Sequence, residues 1–236
     1  MDGPDFNCAM RDRLFLLSGI FGLGTLAVLL ILSRVGPRQV GPLPPGFITP
    51  VMAFEFARTQ QEVEQLFQPP GSAAGMDRVN RWDFLFMTCY SLLLGTYALA
   101  VASRTGRSIF YVAVALAPLI WLADVIENVQ LLGLTRGLAL GDDPGLMLAR
   151  LRVTTGLKWA GLSVYFLLLA GWFRSRGGLW RVAQALAFLP AIFGLSTLVV
   201  RGLPHELMAL AIGLLFIVLT ADAWRWAFFP PAAVIH

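Results

Sequence analysis

Six long apolar stretches dominate the sequence and constrain its fold more than any other feature. Each contains about 20 mostly apolar residues, which is the length that a helix needs to cross the hydrocarbon core of a bilayer. The stretches cover residues 14–32, 82–102, 108–134, 154–173, 182–200 and 207–228. The pattern therefore predicts an all-α fold, a polytopic membrane helix bundle of about six transmembrane helices.

The composition excludes a water-soluble domain. Of the 236 residues, 57% are hydrophobic and only 14% are charged, whereas about a quarter of the residues in a soluble domain are charged. The net charge of +4 comes from arginines and a single lysine, and in a membrane protein such residues are typical of topology signals and headgroup contacts. No stretch interleaves basic and aromatic residues, so we expect no nucleic-acid partner.

The predicted spans divide the chain into an N-terminal anchor helix (1–33), an outer linker with an amphipathic helix (34–81) and a five-helix membrane bundle (82–228). Six spans place both termini on one side of the membrane. The short connections on that side carry Arg104, Arg107, Arg174, Arg176 and Arg181. Because arginine-rich short loops stay in the cytoplasm, we expect cytoplasmic N- and C-termini and outward-facing connections at 33–81 and 135–153.

The first outward connection has two parts. Its start, up to Pro50, is rich in proline and glycine and is typical of an extended linker. Residues 51–67 place Phe54 and Val63 on one side of a helix and Arg58 on the other. This pattern predicts an outer amphipathic helix that lies on the membrane interface or docks into it.

The third span contains polar residues that an apolar helix does not need. Asp124, Glu127 and Asn128 are spaced i, i+3 and i+4, which places them on one helix face. A charged side chain near the middle of a membrane costs about 2.5–3.5 kcal/mol on insertion scales, so these residues need a partner or water. The candidate partner is Lys158, the only lysine of the chain, near the outer end of the fourth span.

Other segments bring polar side chains to the same depth. Asp83 and Tyr90 lie on one stripe of the second span, and Glu55 lies on the outer amphipathic helix. Tyr165 follows Lys158 by seven residues and shares its helix face. We therefore predict an outward-opening polar pocket. Its candidate ligand-binding residues are Glu55, Asp83, Asp124, Glu127, Asn128 and Lys158, with Tyr90 and Tyr165 deeper.

Three classes of function fit this predicted pocket. The first is a protein that binds or transports a small polar solute, a cation or a lipid headgroup, because charged residues inside spans mark such sites. The second is an outer-leaflet lipid-processing enzyme that uses paired carboxylates as general acid and base. The third is a structural or assembly subunit whose polar cluster only locks helices together. The four carboxylates outnumber the lysine, an excess that favours protonated carboxylates, a bound cation, or a cationic or polyhydroxyl ligand.

The three classes predict different surroundings for the pocket. Transport requires a polar path that continues past Tyr97 and Tyr165 to the cytoplasmic side, but the inner halves of the spans look apolar apart from Ser196 and Thr197. An enzyme requires a lateral opening to lipid with the outer helix as its lid. A subunit requires a large apolar face for a partner. The sequence identifies neither a catalytic residue nor a cofactor, and the expected partners are membrane lipid and a small polar or cationic ligand.

The histidines and cysteines predict neither a metal centre nor a disulfide. His205 and His236 are too few and too scattered for a haem pair or a histidine-rich metal site, so we expect no metal centre. Cys89 falls inside a span and Cys8 before the first one, so we expect no disulfide between them.

Two further patterns give local predictions. Asp222 and Arg225 are spaced i, i+3 near the inner end of the sixth span, which predicts an ion pair in an interfacial anchor. The sequence GDDP at 141–144 predicts a turn, followed by a short amphipathic helix at 146–153 on the outer surface.

Four short motifs together carry a resemblance to known proteins. They are FEFA at 54–57, RWDFLF at 81–86, ADVIEN at 123–128 and LKW at 157–159. With these motifs, residues 54–159 resemble a group of uncharacterised bacterial multi-pass integral membrane proteins that share a D-F-L-F span start, a D-x-x-E-N span and a following Lys-Trp. The resemblance implies a bacterial cytoplasmic (inner) membrane location and the same positions of interest, but no activity.

Overall fold

A computed structural model describes residues 4–229, with side chains from Arg13 onward. Its regular structure consists of helices, and no strand occurs within the described residues. The helices are α1 (Pro4–Val35), α2 (Pro50–Glu55), α3 (Gln60–Leu66), α4 (Ser72–Thr105), α5 (Ile109–Leu140), α6 (Gly145–Ser175), α7 (Trp180–Ser196) and α8 (Leu203–Phe228). The side chain of Cys8 and the whole of His236 lie outside the described residues.

Five of these helices, α1, α4, α5, α6 and α8, are long and apolar enough to cross a membrane. The prediction of an all-α, multi-pass membrane bundle is therefore confirmed. The fifth predicted span, 182–200, is shorter than expected, because α7 ends at Ser196 after 17 residues and the chain turns from there to Val200. A helix of this length is about 26 Å long, at the lower limit for crossing the hydrocarbon core.

The six long or apolar helices form a closed ring. Each packs against the next in the order α1, α4, α5, α6, α7, α8, and α8 packs against α1. The ring has a terminal side, where α1 begins and α8 ends, and an opposite side that carries the segment between α1 and α4. We call residues 36–71 the cap and the opposite side the cap side. The interior of the ring is filled by fully buried apolar and aromatic side chains such as Met87, Leu93, Tyr97, Phe166 and Leu215.

The cap contains two short helices rather than the single amphipathic helix predicted at 51–67. The reason is that Thr59 begins a second helix, since its hydroxyl accepts a hydrogen bond from Glu62 N, as the Thr49 hydroxyl does from Met52 N at the start of α2. Phe54 and Leu66 are each 1% exposed and pack on the ends of α4, α5 and α6. The cap is thus docked onto the bundle.

This docking also explains why the cap-side connections are shorter than predicted. Helix α4 begins at Ser72 instead of 82, and only residues 141–144 separate α5 from α6, so the predicted helix at 146–153 is the first part of α6. The added turns are helical because side chains such as Met76, Leu138 and Leu151 pack beneath the cap. Arg136 and Arg150 therefore lie within α5 and α6, near the cap-side ends of these helices. Arginines are thus found near the helix ends on both sides of the bundle.

Close packing joins α1 to α8 near the terminal side. Trp224 Nε1 donates a hydrogen bond of 3.2 Å to Gly19 O, and Gly22 faces Thr220 so closely that a Cβ at Gly22 would lie 2.8 Å from Thr220 Cγ2. Small residues at such positions are the usual means by which membrane helices approach each other. The contact joins α1 to α8 towards the terminal side of the bundle.

We expect Gly22→Ala to destabilise the protein by about 1–3 kcal/mol, because the new methyl group overpacks this contact. The change is measured as the thermal unfolding midpoint in detergent. Thr220→Ala added to Gly22→Ala should restore part of the loss, since it removes the two nearest atoms. Gly171→Ala is the control, because nothing lies within 4 Å of a Cβ at Gly171. Equal midpoints for Gly22→Ala and Gly171→Ala would show that the α1–α8 contact is not tight.

Candidate functional site

The ammonium group of Lys158 lies at the centre of the predicted site. Its Nζ is 2.6 Å from Glu127 Oε1 and 3.3 Å from Asp124 Oδ1, both on α5. It is also 3.1 Å from Oε2 of Glu55, at the end of α2 in the cap. Lys158 is only 5% exposed. One buried cation therefore ties the cap to two membrane helices.

Helix α4 joins this group through two further hydrogen bonds. Tyr90 OH donates to Asp124 Oδ2 and Asn128 Nδ2 donates to Asp83 Oδ2, both at 2.5 Å. The structure thus brings together seven of the eight predicted residues, which we call the polar cluster: Glu55, Asp83, Tyr90, Asp124, Glu127, Asn128 and Lys158.

Tyr165 does not belong to the polar cluster. Although it lies on α6 two turns after Lys158, its hydroxyl donates a hydrogen bond of 2.7 Å to Leu94 O on α4. The side chain is fully buried among apolar residues. Sharing a helix face with Lys158 was therefore not sufficient to place Tyr165 in the pocket.

A cavity of about 720 Å³ lies beside the polar cluster. We call it the cleft. Glu55, Asp83, Tyr90, Asp124 and Lys158 line its polar end, while Glu127 and Asn128 lie behind them. The rest of the wall is mainly apolar and comes from α1, α8, the cap and parts of α4 and α6: Leu29, Leu30, Leu32, Ile48, Val51, Met52, Val79, Phe86, Leu162, Leu203, Leu207, Leu210, Ile212 and Phe216.

The cleft opens sideways, between α1 and α8. These helices are in contact at Gly22 and Thr220, but towards the cap side the residues of both helices line the cavity instead. Leu30 of α1 is 68% exposed and Leu210 of α8 is 59% exposed. Since both positions lie in membrane-spanning helices, the rim of the cleft faces the lipid.

The cap covers the cleft and is fastened to the start of α8. Oε1 of Glu206 accepts hydrogen bonds of 2.9 Å from the backbone N–H groups of Ile48 and Thr49, and the Thr49 hydroxyl also contacts this carboxylate. The neighbouring His205 caps the helix, because its Nδ1 accepts from Gly202 N at 3.2 Å. No local sequence pattern identifies this contact of Glu206, because its partners lie more than 150 positions away.

A second contact, an ion pair, joins Arg201 to Glu62 of α3. Its guanidinium donates two hydrogen bonds to the carboxylate of Glu62 and one to Phe56 O. Burial alone raises the pKa of Glu62, but the hydrogen bonds and the charge of Arg201 outweigh it and hold the pKa below the ordinary value of 4.5. Glu62 is therefore ionised at neutral pH and keeps the cap closed on α8.

The polar cluster contains more negative than positive groups. Three carboxylates contact the one ammonium and Asp83 adds a fourth acidic group, and two buried oxygens, Asp124 Oδ1 and Glu127 Oε2, accept no hydrogen bond. In the described part of the chain, no group of three or more His, Cys, Asp or Glu side chains is arranged to hold a metal ion. The Lys158 ammonium occupies the centre of the carboxylates, where a cation would otherwise be held.

A separate polar network near the terminal side corrects the prediction for Asp222. Asp222 is fully buried, and its Oδ2 accepts hydrogen bonds of 2.5 Å from Arg176 Nη1 and from Tyr97 OH. The predicted partner, Arg225, instead lies over the ring of Trp180, 5.6 Å from its centroid. The prediction failed because Asp222 points into the bundle and not towards the interface. The inner halves of the spans are consequently less apolar than the sequence indicated.

The two polar regions are separated by apolar packing. Tyr90 and Tyr97 are two helical turns apart, roughly 10 Å along α4. Between them, Leu94, Leu215 and Leu219 are fully buried. Within residues 13–229, the polar cluster and the Asp222 network are therefore separate, and no hydrogen bond links Tyr90 to Tyr97.

Comparisons with known proteins add no function to this geometry. The chain matches no protein-family model, and no curated protein or solved structure is significantly similar to it. The resemblance of residues 54–159 to a group of bacterial membrane proteins stays a prediction. The function has to be inferred from the site itself.

We expect Lys158→Met to destabilise the protein by about 3–5 kcal/mol, because it leaves buried carboxylates without their cation. The double variant Lys158→Met/Glu127→Gln should regain a large part of this loss, since it also removes the carboxylate nearest to the ammonium. Thermal unfolding in detergent measures both. A single variant as stable as the wild type would mean that the carboxylates do not depend on Lys158.

We also expect the cap to loosen in acid. Since the pKa of Glu62 is lowered in the folded protein, its stabilising effect is complete above about pH 4.5 and is lost as the pH falls through the lower folded value. At pH 6, hydrogen exchange of the α3 amides should be several-fold faster in Glu62→Gln than in the wild type, and the difference should shrink as the pH falls below 4.5. Glu64→Gln is the matched control, because Glu64 contacts only Gln60. A wild-type cap that keeps the same protection throughout this fall in pH contradicts this account.

Proposed function

We propose that this protein binds a membrane amphiphile in the cleft, with the polar headgroup against the polar cluster and the apolar part between α1 and α8. The observation that carries the proposal is that one cavity extends from Asp124 and Lys158 to the lipid-exposed Leu30 and Leu210. Its volume of about 720 Å³ lies in the range of roughly 300–1,000 Å³ that is typical of small-molecule pockets.

The shape of the wall favours an amphiphile over a small polar solute. A solute that arrives from water needs a polar entrance, but the side of the cleft consists of leucines and other apolar residues on α1 and α8. A lipid-like molecule can enter sideways from the bilayer, and its tail then replaces the lipid chains that would otherwise fill the space. Its headgroup reaches the polar cluster without crossing an apolar barrier.

The separation of the two polar regions favours a one-sided site over a transport path. Leu94, Leu215 and Leu219 lie between the polar cluster and Asp222. The cavity also argues against a purely structural role, because an ion pair that only locks helices needs no open space beside it. These two observations support a binding site in the cap-side leaflet.

Chemistry on the bound headgroup is a second candidate function. Asp124 lines the cleft, and its Oδ1 accepts no hydrogen bond and lies 3.3 Å from the Lys158 ammonium. A carboxylate oxygen beside a cation is suited to accept a proton while the cation stabilises developing negative charge. An enzyme of this kind is a lipid-processing protein with the cap as its lid.

The membrane and the orientation are part of the proposal. The proposed cytoplasmic termini in a bacterial cytoplasmic membrane rest on Arg104, Arg107, Arg174 and Arg181, which lie in or beside short connections on the terminal side. The arginines near the cap-side helix ends, such as Arg136 and Arg150, reduce this asymmetry. With cytoplasmic termini, the cleft belongs to the outer leaflet. The binding proposal itself requires only that the cleft open into the cap-side leaflet.

A variant that fills the cleft tests the proposal. Gly213 lines the cavity, and nothing lies within 4 Å of a Cβ built there. We expect Gly213→Phe to fold normally, because the ring occupies open space and glycine is the poorer helix former. Native mass spectrometry of the wild type purified in mild detergent should show a bound amphiphile, and at least tenfold less of it should remain on Gly213→Phe.

Gly171→Phe is the matched control for this experiment. Gly171 also has open space at its Cβ and lies in a membrane-spanning helix, α6, but it does not line the cleft. We expect it to keep the bound amphiphile. If the wild type, Gly213→Phe and Gly171→Phe carry the same amount of bound amphiphile, the molecules bind elsewhere on the surface and the proposal is wrong.

A further inference from the structure

We infer that the headgroup bound in the cleft is a cation with N–H donors, so that the ligand is an ammonium-bearing amphiphile. The inference rests on the proposed binding function and adds the chemical class of the headgroup. It follows from the hydrogen-bonding groups at the polar end of the cleft, from their charge and from the rings beside them.

The donors at the polar end are already used within the protein. Tyr90 OH donates to Asp124 and Trp159 Nε1 donates to Glu55. Asn128 Nδ2 donates to Asp83. These bonds use the hydroxyl of Tyr90 and the indole N–H of Trp159, and Asn128 does not line the cleft.

Two acceptors at the polar end, in contrast, are left free. They belong to Asp83 and Glu55, because Asp124 Oδ1 is a buried oxygen that lies 3.3 Å from the Lys158 ammonium. Asp83 uses Oδ2 for Asn128, and Glu55 uses Oε2 for Lys158 and Trp159. The second oxygens of Asp83 and Glu55 make no hydrogen bond within the described residues. A ligand at this end is therefore required to donate hydrogen bonds, not to accept them.

The charge of the polar cluster selects the same class of headgroup. The Lys158 ammonium is shared by Glu55, Asp124 and Glu127, and Asp83 adds a fourth carboxylate at the cleft wall. A second ammonium supplies a partner for the Asp83 carboxyl group, which Lys158 does not contact, in a site where little water can screen charge. An anionic headgroup is disfavoured, because the Lys158 ammonium that it would pair with already contacts three carboxylates.

Aromatic rings line the cleft next to these acceptors. Phe86 and Tyr90 meet edge to face with ring centroids 5.4 Å apart, and Phe216 stacks on Tyr90 at the same distance. All three line the cavity. Such rings attract ammonium groups and contact the methylene group attached to them. The faces of these rings do not attract a phosphate or a sulfate group in the same way, because the faces carry partial negative charge.

Four amphiphiles with the same dodecyl chain test the inference: those ending in a primary ammonium, a trimethylammonium, a hydroxyl or a sulfate group. Each is added at increasing concentration to the full-length protein in nanodiscs, and the thermal unfolding midpoint is recorded. A ligand that binds only the folded state raises this midpoint. The same titration of Gly213→Phe measures the effect of the amphiphile on the bilayer, and the difference between the two proteins is the cleft-dependent shift.

We expect the primary ammonium to give its cleft-dependent shift at a concentration at least tenfold lower than the hydroxyl compound. The trimethylammonium compound, which has the charge but no N–H donor, should fall between them, and the sulfate should give the smallest shift. In Asp83→Asn, the tenfold preference for ammonium should fall to about threefold or less. This variant retains an acceptor for the Asn128 amide and is therefore expected to fold.

The outcomes separate the two proposals. If the hydroxyl or the sulfate compound gives a cleft-dependent shift at the same or a lower concentration than the ammonium compound, the cleft binds amphiphiles but the inferred headgroup is wrong. If none of the four gives a shift that differs between the wild type and Gly213→Phe, the proposed function itself fails. A preference for ammonium that persists unchanged in Asp83→Asn removes the role assigned to that carboxylate and overturns the inference.

Discussion

The ammonium group of Lys158, shared by carboxylates from two helices, is the interaction on which the rest of this structure depends. A charge in the interior of a membrane protein is stable only when it is paired and hydrogen-bonded. Lys158 meets this condition through Glu127 and Asp124 on α5 and Glu55 in the cap. The same contacts hold α5 against α6 and bring the cap over the bundle, so the charge arrangement determines both the packing and the shape of the cleft.

The cleft is a consequence of uneven helix packing. Gly19 and Gly22 allow α1 to approach α8 near the terminal side, whereas larger side chains and the cap keep the two helices apart at the other end. The contacts of Glu206 with the cap close this space on the cap side, and the space is open to lipid between α1 and α8. An apolar wall that ends in unused carboxylate oxygens is suited to a molecule with one apolar and one cationic end.

Much of the fold and most of the candidate site could be predicted from the sequence. The apolar stretches are long enough to identify the membrane helices, and the cost of a buried charge made Asp124, Glu127 and Lys158 informative. The errors have a common physical origin, which is that helix periodicity gives the face of a residue but not its neighbours. Tyr165 and Asp222 contact helices that no local pattern identifies. The extensions of α4 and α6 depend on packing under the cap, and the cleft depends on the distance between α1 and α8.

The most direct test of amphiphile binding in the cleft is photo-crosslinking with an alkyl ammonium that carries a diazirine in the middle of its chain. The probe is added to the protein in nanodiscs and irradiated, and the modified residues are identified by peptide mass spectrometry. If the cleft binds the amphiphile, the adducts concentrate on its walls, near Leu29 and Leu30 of α1 and Leu207 and Leu210 of α8, and excess dodecylammonium removes them. Adducts spread evenly over all lipid-facing helices, with no loss on competition, would contradict the account.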